Sequence, residues 1–293
     1  MKILRILFLF EIQLFMTMKL RPPSPKTIKI VEKLEQHMRA QSPNNSDRPR
    51  IRTSKSQFFV DASGIGDFLT VSEAIKTAKN GDEIFVLPGE YDESLFIDKE
   101  VRIIGQSDGQ DRPKLISPGD MAQIFSNSVH IESFDLRSTG AKAFGLIVFP
   151  DARGIMLKNC SIDISDGTGL VSLRNSELII EGVRISNCKY GFRVEGYGVV
   201  TKSGFLSCQY GIVARNYGQS RIGECHFVGN EVGIYLDGGA NGNVRSNVFQ
   251  GPGFAIVAVN GSTAALAEND LTDCTNEYPT ASLDDQSELT FIN

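Results

Sequence analysis

From residue 57 onward, apolar side chains fall in short runs separated by Gly, Asn, Asp, Ser and Pro, and only one stretch shows helical spacing. Runs of this length bounded by turn residues predict strands, here at residues 58–60, 84–87, 95–97, 101–104 and 115–116. The helical stretch lies between the first two. Thr70 with Glu73 three residues on makes a capping box, Val71, Ala74, Ile75 and Ala78 share one face, and Asn80-Gly81 supplies a left-handed stop. The strands follow one another too closely for βαβ units.

Beyond residue 130 the pattern repeats. A block of apolar, two spacers, small or apolar, one spacer, apolar starts at Ile131, Leu157, Ile180, Val200, Ile222, Val244 and Leu266, in steps of 26, 23, 20, 22, 22 and 22 residues. A second block opens on a small residue at Gly145, Gly169, Gly191, Gly211, Gly233 and Ala255, with the same period. A unit of this size holding two or three short strands cannot bury its apolar face alone, so the units must stack as a parallel coil with about 4.8 Å between turns. Leucine-rich repeats share the period, but their Leu-rich consensus is missing. Like side chains recur at equivalent positions: Phe144, Thr168, Tyr190, Tyr210, Val232 and Phe254 form one ladder. Cys160, Val183, Ser203, Cys225, Asn247 and Asn269 form a second, and Cys188, Cys208, Asn230, Pro252 and Cys274 a third.

Composition bounds the rest. The 293 residues are 41% apolar and 22% charged, which is enough for one large core and argues against global disorder. The net charge of -5 hides a split: residues 1–56 hold 12 Lys and Arg against 4 acids, the remainder 18 against 31. An acidic body does not attract nucleic acid. Five cysteines are too few and too scattered for a disulfide scaffold and are read as buried reduced thiols, which favours the cytoplasm over secretion, although such thiols also survive outside it. The apolar start of the chain is interrupted by Arg5 and Glu11, so it fits neither a membrane span nor a secretory signal well. It reads either as a divergent targeting or membrane-surface segment or as an extension upstream of Met16 or Met18; membrane attachment is not expected. Residues 1–56 are expected to be a basic flexible leader, with a short amphipathic helix around residues 28–34, residues 57–275 the folded body, and residues 276–293 a tail.

The stretch Val60-Asp61-Ala62-Ser63-Gly64, Gly66-Asp67-Phe68, Thr70-Val71, Glu73-Ala74-Ile75, Gly81-Asp82, Val86-Leu87-Pro88-Gly89-Glu90-Tyr91 and Glu93, followed by the repeats, resembles the pectin lyase-like right-handed parallel β-helices. Within that superfamily it is most similar to NosD-type and F-box-associated β-helix repeat proteins. The resemblance covers residues 57–275 and implies an all-β, single-stranded solenoid whose first coil is capped by the helix at residues 70–78. It does not select an activity, because esterases, lyases, epimerases and non-catalytic scaffolds share the fold.

The catalytic patterns of those relatives are incomplete here. Pectin methylesterases need a Gln, two Asp and an Arg several coils on, whereas the Gln110-Asp111 pair comes too early. For glycoside hydrolysis, which needs paired carboxylates, the weak candidates are Asp163 and Asp166 in one turn; Asp284-Asp285 lie beyond the repeats. A turn carboxylate is more often a solvated turn former. His37, His130 and His226 are too far apart for a triad or a metal site, the acids do not cluster as calcium ligands, and the Asp-Pro-His of uronate epimerases is missing. No cofactor or metal is expected.

Binding is the alternative to catalysis. By strand alternation the second block places Ile147, Val171, Arg193, Val213, Tyr235 and Val257 outward, an apolar stripe that is either covered by the leader or tail, or a partner surface. Two residues on, Glu195, Arg215 and Asp237 alternate in sign as an ion-pair ladder. Tyr197 and Tyr217 are read as occupying matching turns on adjacent coils, where two rings could stack on sugars while Arg193, Glu195 and Arg215 bond hydroxyls or carboxylates. The expectation is a non-catalytic scaffold for a protein or polysaccharide, with a polysaccharide lyase or hydrolase as the alternative.

Overall fold

The structure, a computed structural model, describes residues 55–276 apart from 108, 110 and 141, together with residues 287–292. The leader, with its expected helix at 28–34, and most of the tail lie outside the described residues. Each apolar run from residue 57 forms a strand, and each strand pairs in parallel with its equivalent in the next coil. The result is a right-handed parallel β-helix with three faces. Face one holds eleven strands, from Gln57–Val60 to Glu288–Phe291. Face two begins at Glu90–Asp92 and face three at Leu95–Ile97, and the two merge near the C-terminal end because Val248–Ala258 runs unbroken across both. The last face-one strand, beyond residue 275, pairs with Thr263–Ala267 and so adds a further rung to the solenoid.

The repeat blocks correspond to two of these faces. Ile131, Leu157, Ile180, Val200, Ile222, Val244 and Leu266 are in register along face one, all but buried in a single continuous core. The glycines that open the second block sit where face three bends inward: a Cβ on Gly211 would lie 2.6 Å from the Gly233 carbonyl oxygen and 2.9 Å from the Phe227 ring. No L side chain fits at that distance, and the same close approach holds at Gly145, Gly169, Gly191 and Gly233, which explains the glycine in those five units. On face two, Phe205, Phe227 and Phe249 stack nearly parallel, with centroids 5.1 and 4.7 Å apart.

The predicted helix spans Val71–Thr77 and packs on the first strands, burying Val71, Ala74 and Ile75. Thr70 accepts from the Glu73 amide at 3.2 Å, as the capping box requires, and the Glu93 carboxylate accepts from the Val71 and Ser72 amides, both at 2.8 Å. Its C-terminus ends earlier than Asn80-Gly81: Ala78 is already non-helical, and Lys99 Nζ caps the Ile75 and Lys76 carbonyls at 2.9 and 2.6 Å. Gly81, with φ +89°, serves the next turn instead.

Candidate functional site

The turns from face three to face one differ in length, and that difference shapes the surface. They occupy residues 173–176, 195–196, 215–218, 237–240 and 259–262 in successive coils. Only the Glu195-Gly196 turn has two residues instead of four, which accounts for the 20-residue step in the repeat. The chain can cut this corner because Gly196 has no side chain: a Cβ there would lie 2.4 Å from the Ser176 oxygen and 2.5 Å from the Leu173 oxygen.

Shortening one turn between longer neighbours leaves an open groove of about 650 Å³. Its floor is Ser176, Glu177, Glu195, Gly196 and Tyr197; one side carries Arg153, Arg174 and Asn175, the other Asn216, Tyr217 and Gln219. Tyr217 is 79% exposed. It holds φ +65°, its amide donates to the Gly238 oxygen at 3.1 Å, and its ring lies so close to Gly239 that a Cβ there would be 2.6 Å away. One side of the ring is thus braced by the Gly239 backbone.

The electrostatics are uneven. The Glu195 carboxylate is 3.1 Å from the Arg193 guanidinium, and Glu177 accepts from the Gly154 amide at 3.1 Å. The Arg153 and Arg174 guanidiniums, both on exposed residues, have no hydrogen-bond or carboxylate partner among the described residues. Both anions of the groove are therefore engaged while its two cations are available.

Of the sequence candidates, Glu195, Tyr197 and Tyr217 meet in this groove. Tyr197 and Tyr217 are not register mates, however. Tyr197 opens a face-one strand and pairs with Glu177 and Gln219, whereas Tyr217 stays in a turn, because the two-residue shortening shifts their alignment. The Tyr197 ring is covered by the Arg221 guanidinium 5.8 Å from its centroid. Arg193 and Arg215 lie on face three and its edge, outside the groove lining; Arg215 pairs with Asp237 at 3.6 Å.

The outward stripe is in register as expected, but it is not an open surface. Val171 and Val213 are 2% exposed and Val257 8%, although none of the three belongs to the central core. Ile147 and Tyr235 are half-buried, and the Tyr235 ring meets Tyr210 edge-on at 5.6 Å. Burial, with the Asp237 charge in second place, raises the Tyr235 hydroxyl above its ordinary pKa. Asp163 accepts from the Asn187 amide at 3.0 Å, and Asp166 holds φ +57° in the adjoining turn, far around the coil from the groove. Among the described residues, no three His, Cys, Asp or Glu side chains are grouped to hold a metal ion.

Sequence reasoning missed Arg153, Arg174, Asn175, Glu177, Asn216 and Gln219. Their signal was the 20-residue step: a two-residue deletion in a stacked array must leave a notch flanked by the neighbouring turns.

Among solved structures, the chain is similar to a rhamnogalacturonan lyase, with a TM-score of 0.53 and 11% identity over 72% of this chain and 73% of the other. It is also similar to native GH136 lacto-N-biosidase from Eubacterium ramulus, with a TM-score of 0.52 and 9% identity over 90% of this chain and 70% of that one. Both are carbohydrate-active enzymes, and at such identities the likeness concerns the fold. A search of curated proteins gave no match. Residues 140–293, more than half of the sequence, match the family model of the right-handed β-helix region, and the chain belongs to that family.

Proposed function

We propose that the protein binds a polysaccharide or oligosaccharide carrying carboxylate groups, in the groove over Glu195-Gly196. The observation behind this reading is the pairing of an exposed, backbone-braced Tyr217 ring with two available guanidiniums on the opposite side. A pyranose ring offers an apolar face for the aromatic. A carboxylate offers the planar acceptor that Arg binds in bidentate fashion, and Asn175, Asn216 and Gln219 supply donors and acceptors for hydroxyls. The scaffold is rigid because the floor and both sides are consecutive turns of one solenoid. A protein ligand on the apolar stripe is the weaker reading, since its valines are buried.

One observation favours an enzyme instead: Glu177 and Glu195 face the same groove, and paired carboxylates are the usual equipment for glycoside hydrolysis. In their present contacts both are held by donors, so binding is the reading we adopt. Calorimetry of the full chain against pectic, alginate and neutral polysaccharides separates the readings. Binding of acidic glycans, weakened about tenfold by Tyr217→Ala and again by Arg174→Ala, is the expected result. Release of reducing ends or unsaturated uronates, lost in Glu195→Gln, would replace it with the enzyme reading, and silence toward every glycan would end both.

A further inference from the structure

Cys188 and Cys208 occupy the same position on consecutive coils, just past the paired face-two residues Ser186 and Leu206. The Gln209 amide donates to the Cys188 carbonyl at 3.0 Å and ties the two turns together. Each sulfur turns the same way, lying 3.3 and 3.5 Å from the carbonyl oxygen two residues back, Ser186 and Leu206 respectively. The two thiols are close enough that each perturbs the ionisation of the other. Register mates on neighbouring parallel strands have Cα atoms about 4.8 Å apart, inside the roughly 4.4–6.8 Å window of disulfides. No other described cysteine is so placed: Cys160 and Cys225 share a different ladder, separated by Val183 and Ser203, and the coils of Asn230 and Gly251 stand between Cys208 and Cys274, which pairs with Gly251.

We propose that Cys188 and Cys208 are an oxidation site at which a hydroperoxide forms a disulfide stapling two coils of the solenoid. The neighbouring Cys208 thiol and burial raise the Cys188 pKa and keep that thiol protonated, so the first step is taken at Cys208. Its sulfur attacks one peroxide oxygen; the O–O bond breaks, water departs with the released protons, and Cys208 becomes a sulfenic acid. The Cys188 sulfur then attacks the Cys208 sulfur, and the S–O bond breaks to release a second water. Two thiols are oxidised by two electrons and one hydrogen peroxide is reduced to two waters. A small oxidant is required because both residues are 2% exposed. The staple joins the coils whose next turns are Glu195-Gly196 and residues 215–218, the floor and the Tyr217 side of the groove.

The test is intact mass spectrometry of the full chain incubated with hydrogen peroxide, followed by alkylation in denaturant and a non-reducing peptide map. The expected result is a loss of 2 Da, a linked pair of peptides containing Cys188 and Cys208, three alkylated cysteines, and a melting temperature raised by several degrees that dithiothreitol reverses. Cys208→Ala, whose folding is checked by circular dichroism, should lose the mass change. Five alkylated thiols after peroxide, or oxygen additions without a linked peptide, would overturn the proposal.

Discussion

His130 stands on the outer side of face one between Arg102 of one coil and Met156 of the next, with Lys158 and Glu132 close by. Burial lowers its pKa below the ordinary imidazole value; Arg102 and Lys158 add to the effect, while Glu132, whose carboxylate lies 3.1 Å away, opposes it. A folded-state pKa below the unfolded value means that the unfolded chain takes up the proton first as pH falls. The contribution of His130 to stability is therefore fully present above about pH 6.5 and is lost as pH falls toward the folded value. His130→Gln should show a smaller drop in melting temperature between pH 7.5 and pH 5.5 than the parent. Equal drops would mean that burial does not hold the imidazole neutral.

At the level of elements, stability comes from ladders rather than from individual strands. Phe227 lies between Phe205 and Phe249 at stacking distance and is all but buried, so Phe227→Ala opens a cavity that two rigid neighbours cannot fill. A loss of about 3–5 kcal/mol in denaturant unfolding is expected. A loss below about 1 kcal/mol would show that the coil collapses around the gap. The ladder residues were legible because stacking forces like side chains to recur at one period: the face-one and face-three blocks of the sequence are in register to the residue. The short face-two strands were less legible, since Glu90–Asp92 and Ser161–Asp163 carry one buried side chain each and no periodicity survives in three residues. The tyrosine alignment failed for a related reason. Turn residues have no hydrogen-bond ladder to hold their numbering, so Tyr217 drifted against Tyr197 where the turn was cut. The groove was visible in the sequence only as an irregular step, because its walls come from four turns that no local pattern connects.

Across the whole molecule, each coil touches only the coils before and after it, so the solenoid approximates a one-dimensional array in which the ends are least supported. The two ends of face one are unlike. Gln57–Val60 has the helix Val71–Thr77 packed against it, with both helix termini satisfied by side chains. Glu288–Phe291 pairs with a single strand, and Phe291 in it is exposed. Tyr197–Thr201, at the centre, is hydrogen-bonded on both edges. Opening free energies rise with the number of neighbours that must be released. Amide exchange should therefore be slowest in Tyr197–Thr201, intermediate in Gln57–Val60 and fastest in Glu288–Phe291, as read by hydrogen–deuterium exchange mass spectrometry of the full chain. Uniform protection along face one would mean that the continuous core couples all coils into one cooperative unit. In that case a mutation at the edge of the array would weaken the groove as much as one beside it. The graded outcome instead isolates the groove from the ends, because the coils that carry it are flanked by intact coils on either side.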